Sequence, residues 1–356
     1  MKIVIKVGTQ SILAHDGTPF EAIIMNLVQQ IVSLQKAGHH VVLVSSGAVS
    51  SGRKVARQLL EKTYGSSIAE KQLLASLGQY ELINLYVDMF KSHNILVSQL
   101  LLTKQDFHTR KHYLNIARLL RELLEHKNII PIINENDSVS IEELMFTDND
   151  ELAGLIAAQI NADKLIILTN VKGVYTKDPK AQDSEFIHTI SAEGDWPEVS
   201  SVKSDSGRGG MISKLTTARK MSMLGITTHI VSIEEDAVIT RLIADEKIGT
   251  LIVPDKKKSN IKKWIAYNAN KHLGSISVNE CLNEILLEKK RVISILPVGV
   301  VKCTGDFKKG DLVEILTING QKIGIGIAKY DAKKLTEYLT LKEKPEFMHY
   351  DHLHIF

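Results

Sequence analysis

The sequence predicts an α/β fold, a mainly parallel sheet sandwiched by helices, followed by a smaller C-terminal mainly-β domain. Three observations carry this expectation. Residues 1–254 alternate short runs rich in Val, Ile and Leu with longer amphipathic stretches, the pattern of a parallel sheet covered on both faces. At Pro254 the alternation stops, and PDKKKSNIKKW opens a basic stretch without apolar periodicity. Beyond it, short strand-like runs are punctuated by Gly274, Gly299, Gly305, Gly310, Gly320, Gly324 and Gly326, as in a small β unit.

In chain order, strands are expected at Lys2–Val7, His40–Ser45, Ile95–Leu102, Ile129–Asn134, Leu165–Thr169 and Thr227–Val231, each a short β-branched or leucine-rich run. Helices are expected at Phe20–Gln35, Tyr113–His126, Glu151–Ile160 and Ile212–Met223, where apolar residues recur at helical spacing. In the second domain, Asn319-Gly320 between VEILTI and QKIGIGI is a hairpin signal. The expected partition is a first domain over 1–254, a linker over 255–268 whose charges are solvated, and a β domain over 269–356.

Composition bounds the function. A chain of 356 residues exceeds the usual single domain, and 44% apolar with 24% charged residues is an ordinary globular balance. A net charge of +3 with 5% aromatic residues gives no basic stripe and few stacking platforms, so nucleic acid is not the expected partner. The only cysteines, Cys281 and Cys303, lack metal-ligand spacing and suit a reducing compartment. No apolar stretch approaches the roughly 20 residues needed to span a bilayer, and the apolar run of MKIVIKVGT is too short for a signal peptide. A cytoplasmic protein is expected.

Familiar nucleotide motifs are absent. Gly47 and Gly52 have the glycine spacing of a Walker A loop, but Arg53-Lys54 follows in place of Lys-Ser or Lys-Thr. No G-x-G-x-x-G follows a strand, and no HRD or DFG set is present. Polar residues instead collect at the C-terminal ends of the expected strands, the edge where open α/β sheets bind ligands. Strand one ends in Lys6-Val7-Gly8-Thr9. A lysine in an apolar strand either meets a partner or snorkels to water from an edge, and a glycine behind it admits a phosphate. Strand two ends in Ser45-Ser46-Gly47-Ala48, a tight strand-to-helix turn or an anion site at a helix start.

The fourth strand runs into Asn134-Glu135-Asn136-Asp137, and Thr147-Asp148-Asn149-Asp150 opens the next helix. One of the latter is an expected N-cap, yet two such clusters exceed what capping needs, and their acids could grip an α-amino group. Finally, Ser206-Gly207-Arg208-Gly209-Gly210-Met211-Ile212-Ser213-Lys214 precedes a helix. It reads as a phosphate cradle with Lys214 on the first turn, or as a plain glycine-rich loop.

Taken together, IKVGT, VSSGA, KQLLASLGQ, LLT, PIINENDSV, DND, LTNVKGVYTKDP and GRGGMISK, in this order along the chain, resemble the glutamate 5-kinase family. That family is a branch of the amino acid kinase superfamily with a C-terminal PUA domain, whose region is matched by VISILPVGV and the Gly305-Asp306-Phe307 segment. The resemblance implies an amino acid kinase fold over 1–254 and a PUA-like domain over 269–356. It further implies ATP-dependent phosphorylation of the γ-carboxylate of L-glutamate, the entry step of proline biosynthesis. Glutamate would be held by Ser46, Gly47, Asp137 and Asn149, with Asn134 and Asp148 close by. ATP would be held by Lys6, Gly8, Thr169, Asn170, Arg208, Gly209, Gly210, Met211 and Lys214. Lys6 and Lys214 would stabilise the transferring phosphoryl group, with Asp150 orienting them. Mg²⁺ would arrive on the nucleotide phosphates rather than in a protein cage. Proline as a feedback inhibitor and a homo-oligomeric state are implied as well. The chain departs from the family pattern at Thr147, where glycine is usual, at Asn170, where aspartate is common, at Arg208, where threonine is usual, and at Asn279, where an acid is usual. The alternatives are a related kinase for another acid and RNA binding through the second domain.

Overall fold

A computed structural model describes the chain except for residues 15, 108–109, 140–147, 180, 193–195, 198–209, 255–272, 289–292, 340 and 342. The expected linker, 255–268, and the departures Thr147 and Arg208 lie outside the described residues, as does Gly209. The chain forms two compact units, one of Met1–Phe107 with Leu114–Lys257 and one of His108–Tyr113 with Lys258–Phe356.

The first unit is built on an eight-stranded sheet. Its strands are β1 (Lys2–Val7), β2 (His40–Ser45), β3 (Leu96–Leu102), β4 (Ile129–Glu135), β5 (Lys164–Thr169), β8 (Thr189–Ile190), β9 (Thr227–Ser232) and β10 (Thr250–Ile252). Strands β6 (Val174–Tyr175) and β7 (Phe186–Ile187) form a separate small hairpin. The order is β3-β4-β2-β1-β5-β9-β10-β8. The six strands from β3 to β9 run parallel, and β10 pairs antiparallel with β9. The chain places β2 to β4 on one side of β1 and then β5 onward on the other, so the topological switch falls beside β1, where ligands bind such sheets.

That topology decides the Lys6 question. Lys6 pairs in register with Val44 of β2 and Ile167 of β5. It therefore sits in a central strand, 4% exposed, with no edge from which to snorkel.

Helices α1 (Thr9–Ile12), α2 (Glu21–Lys36), α5 (Arg110–Glu125), α6 (Asn149–Ile160), α7 (Met211–Met223) and α8 (Val238–Ile243) accompany the sheet. Of two long helices, α3 (Ala48–Leu59) is the helix expected to start after β2, its length not foreseen, and α4 (Ile68–Lys91) was not expected. Both contain glycines, which weaken a helical signal. The structure supplies their reason: a Cβ on Gly52 would lie 1.8 Å from the Leu74 carbonyl oxygen, and one on Gly78 1.9 Å from that of Ala48. The two helices touch backbone to backbone there. Gly47 adopts φ +126°, a conformation that favours glycine. The Walker-like spacing of Gly47 and Gly52 thus serves a turn and a helix crossing.

The second unit is a five-stranded sheet, order β12 (Val300–Gly305), β11 (Gly274–Val278), β13 (Leu312–Leu316), β14 (Lys322–Ile327), β15 (Leu353–Ile355). Strands β13 and β14 pair antiparallel across the expected hairpin, with Gly320 at φ +82°. The unit also carries two helices that the glycine-rich pattern concealed, α9 (Glu280–Glu288) and α10 (Ala332–Tyr338). Asn279, the departure from the family's acid, caps α9 by accepting the Leu282 N–H at 2.9 Å. Phe307 and Phe347, fully buried, centre its core.

Candidate active site

The C-terminal ends of β1, β2 and β4 and the N-termini of α6 and α7 supply two clusters of buried polar side chains. The first is ionic. Asp150, fully buried in the first turn of α6, receives Lys6 Nζ on Oδ1 at 2.6 Å and Lys214 Nζ on Oδ2 at 2.9 Å. Both lysines are themselves buried. Burial alone would raise the Asp150 carboxyl, but the two ammoniums outweigh it and hold it well below the usual carboxylate range. For Lys214 burial pulls the ammonium down, and Asp150 more than reverses this, so its pKa is raised. One carboxylate between two lysines leaves the cluster with a net positive charge. Residues some 200 positions apart in sequence meet here because Gly154, one turn beyond Asp150, lets α7 pack close: a Cβ on Gly154 would stand 2.8 Å from Thr217 Cγ2.

The surroundings of this cluster suit an anion. A Cβ on Gly8 would point to 3.7 Å from Lys6 Nζ, so glycine keeps the space before that ammonium clear. Gly8 itself has φ −85° and needs no glycine for its backbone. Gly210 is the N-cap of α7 and carries no side chain to satisfy the helix's first amides, with half-buried Met211 next in line. Those amides point where an anion binds a helix start. Thr169 ends β5, half-buried. Asn170 is exposed and tied to α1, accepting from Ser11 Oγ at 2.5 Å and donating to the Gln10 carbonyl at 3.2 Å.

The second cluster is a chain of amides. Asn149 Nδ2 donates to Ser46 Oγ at 2.7 Å and to Asn134 Oδ1 at 2.8 Å, and Asn134 Nδ2 donates to Gln79 Oε1 at 2.8 Å. Asp148 caps α6, its Oδ1 accepting the Asp150 N–H at 2.7 Å and the Glu151 N–H at 3.3 Å. Two acceptors are then left over: Asn149 Oδ1 and Asp148 Oδ2 are buried with no hydrogen-bond partner among the described residues. Such orphans are costly unless a ligand satisfies them. Burial, and then the neighbouring charge of Asp150, push the Asp148 carboxyl up to about 6 despite the two lysines. Asp137 lies in the turn after β4, half-buried and engaged within the protein. Gln79 was missed as a site residue. The KQLLASLGQ match contained it, but one glutamine among the several polar residues of α4 carries no chemical signal of its own.

Among the described residues no group of three or more His, Cys, Asp and Glu is placed to hold a metal ion. No helix of the described residues is long and apolar enough to cross a membrane.

A mainly parallel sheet with a lysine pair at its switch point defines a class: the chain belongs to the amino acid kinase family, whose model matches residues 1–232, and within it to the glutamate 5-kinases. A PUA domain model matches residues 274–344. The relatives that narrow the class span nearly the whole chain. A glutamate 5-kinase of Bacteroides thetaiotaomicron is 40% identical over 99% of this chain and 98% of that one. One of Chlorobaculum tepidum is 39% identical over 99% and 97%. A solved structure of UMP kinase from Bacillus anthracis superposes with a TM-score of 0.48 at 17% identity, over 72% of this chain and 96% of that one, too loose a likeness to argue from.

Proposed function

We propose that this chain transfers the γ-phosphoryl group of ATP to the γ-carboxylate of L-glutamate, giving L-glutamyl 5-phosphate, the first step of proline biosynthesis. The observation that carries the reading is the adjacency of the two clusters along one helix turn. Asp150 gathers two ammoniums, while Asp148 and Asn149 offer unsatisfied acceptors. The acceptors suit the α-ammonium of an amino acid, and the Ser46 hydroxyl, which already accepts from Asn149, has its proton free for a carboxylate. Gly47 keeps the turn below Ser46 tight.

The chemistry asks little covalent work of the protein. The γ-carboxylate is ionised at neutral pH and needs no general base. Catalysis then consists of aligning two anions and stabilising charge on the phosphoryl oxygens. Lys6 and Lys214 supply that stabilisation from positions fixed in advance by Asp150, so the site does not reorganise during transfer. Lys6, Gly8, Thr169, Asn170 and the Arg208–Lys214 segment would hold the nucleotide. Mg²⁺ carried on the phosphates would add charge neutralisation there.

Trapping with hydroxylamine tests the reading: glutamate, ATP and Mg²⁺ together should yield γ-glutamyl hydroxamate. Product with another acid and none with glutamate would sink the substrate assignment. Adding proline to the same assay tests the feedback inhibition that the resemblance implies, and sedimentation of the active enzyme tests the homo-oligomeric state.

A further inference from the structure

We propose that Gln79 is a positioning residue that sets the hydrogen-bond polarity of the pocket for the acceptor amino acid. The proposal rests on the reading of Ser46 and Asn149 as that pocket. Its starting point is a backbone amide, whose direction is not open to choice. The Glu135 N–H donates to the Asn134 side chain at 2.9 Å, so the Asn134 atom facing it must be the oxygen. The same oxygen faces Asn149 at 2.8 Å, so Asn149 must present its NH2 there. The NH2 of Asn149 also reaches Ser46 Oγ, which leaves Asn149 Oδ1 turned away, buried and without a partner among the described residues. At the other end, the Asn134 NH2 must find an acceptor, and Gln79 Oε1 is the one it meets, at 2.8 Å.

Gln79 therefore terminates a chain in which every amide points one way. Its consequence is an acceptor at Asn149 Oδ1 for an ammonium and a free donor at Ser46 for a carboxylate. If Gln79 is lost, the buried Asn134 NH2 has no acceptor, and turning the amide over would set its NH2 against the Glu135 N–H and the Asn149 NH2. The strain falls on the acid pocket and not on the lysine pair, since the chain has no member in common with the contacts of Lys6, Asp150 and Lys214. Helix α4 is held to deliver Gln79 there: Gly78 seats against α3, and Tyr86, two turns on, pairs its hydroxyl with Ser45 Oγ at 2.9 Å.

The test compares Gln79→Leu, which removes the acceptor, with Gln79→Glu, which keeps one, in the full-length enzyme. Michaelis constants for glutamate and ATP are measured separately by the hydroxamate assay. Gln79→Leu should raise the constant for glutamate about tenfold or more while that for ATP stays within about twofold, and Gln79→Glu should return the former to within about threefold of wild type. In a double variant with Asn149→Ala, Gln79→Leu should add little, because the group it orients is gone. Equal rises in both constants, a Gln79→Glu variant as impaired as Gln79→Leu, or additive effects with Asn149→Ala would each overturn the proposal. Should Gln79→Leu fail to fold, Gln79→Met offers the same contrast. The wild-type enzyme tests the underlying reading by itself. If it phosphorylates a different acid, the glutamate assignment fails, and the Gln79 comparison is made with that acid.

Discussion

Replacing Lys214 by alanine separates the electrostatic work of the lysine pair from the upkeep of the fold. In the native cluster Asp150 is shared between Lys6 at 2.6 Å and Lys214 at 2.9 Å. Without Lys214 the carboxylate keeps Lys6, so no buried charge is orphaned, and the cluster becomes neutral rather than positive. A unit charge about 4–5 Å from the transferring phosphoryl oxygens, at an effective dielectric constant of about 20, contributes about 3–4 kcal/mol. Where that attraction grows as charge develops in the transition state, its loss lowers kcat by about two to three orders of magnitude. The Michaelis constant for glutamate should hardly move, because the amide chain from Gln79 to Ser46 does not include Lys214. Steady-state hydroxamate formation at varied ATP and glutamate measures all three parameters. A kcat within about threefold of wild type, accompanied by a raised constant for ATP, would refute the reasoning and make Lys214 a ground-state contact only.

Other outcomes follow from the same geometry. Asp150→Asn leaves two buried ammoniums without their ion-pair partner and should cost about 3–5 kcal/mol in chemical denaturation, far more than Lys214→Ala. Asp148, pushed up to about 6, must be ionised to hold an ammonium, so kcat/KM for glutamate should fall as pH drops below about 6, and Asp148→Asn should remove that limb from the profile. His229 is buried with neither ring nitrogen hydrogen-bonded among the described residues, and burial lowers it from 6.5 to about 4. A depressed folded pKa means stability present above pH 6.5 and lost as pH falls toward 4, about 3 kcal/mol in all, and His229→Leu should flatten that slope in urea titrations. Asp148 acts oppositely, since its raised pKa lends stability below 3.8 that is lost as pH rises through about 6, so only the single variants separate the two slopes. Gly154→Ala should destabilise by about 1–3 kcal/mol through contact with Thr217, and adding Thr217→Ala should recover most of it in thermal melts.

Much of the fold was legible because its signals are local. The run Lys2–Val7 and its counterparts at 40–45, 129–135 and 227–232 declare themselves as strands by composition, and Asn319-Gly320 declares its hairpin by the conformation its turn requires. The extent of α3 and the whole of α4 did not, because the glycines that let them touch at Gly52 and Gly78 answer to a partner helix absent from any local window. The short antiparallel β10 and the helices of the second unit were hidden for a similar reason, being too short or too interleaved with glycine to show a period of their own.

At the site the division is sharper. Residue types and their order along the chain single out Lys6, the NEND and DND runs and the GRGGMISK segment as candidates, since buried polar groups in apolar surroundings need partners wherever they are. Residue chemistry alone left the partner open; Asp150 entered only as what the family resemblance implies. Only the central position of β1 turns Lys6 from a solvated end into a buried charge, and only the α6–α7 crossing at Gly154 sets Lys214 against Asp150. Only packing of α4 brings Gln79 within 2.8 Å of Asn134. Charge and polarity are properties of single residues and can be read in line. A hydrogen bond or ion pair needs residues 55 to 144 positions apart placed to within about a few tenths of an ångström, and the folded chain alone determines that.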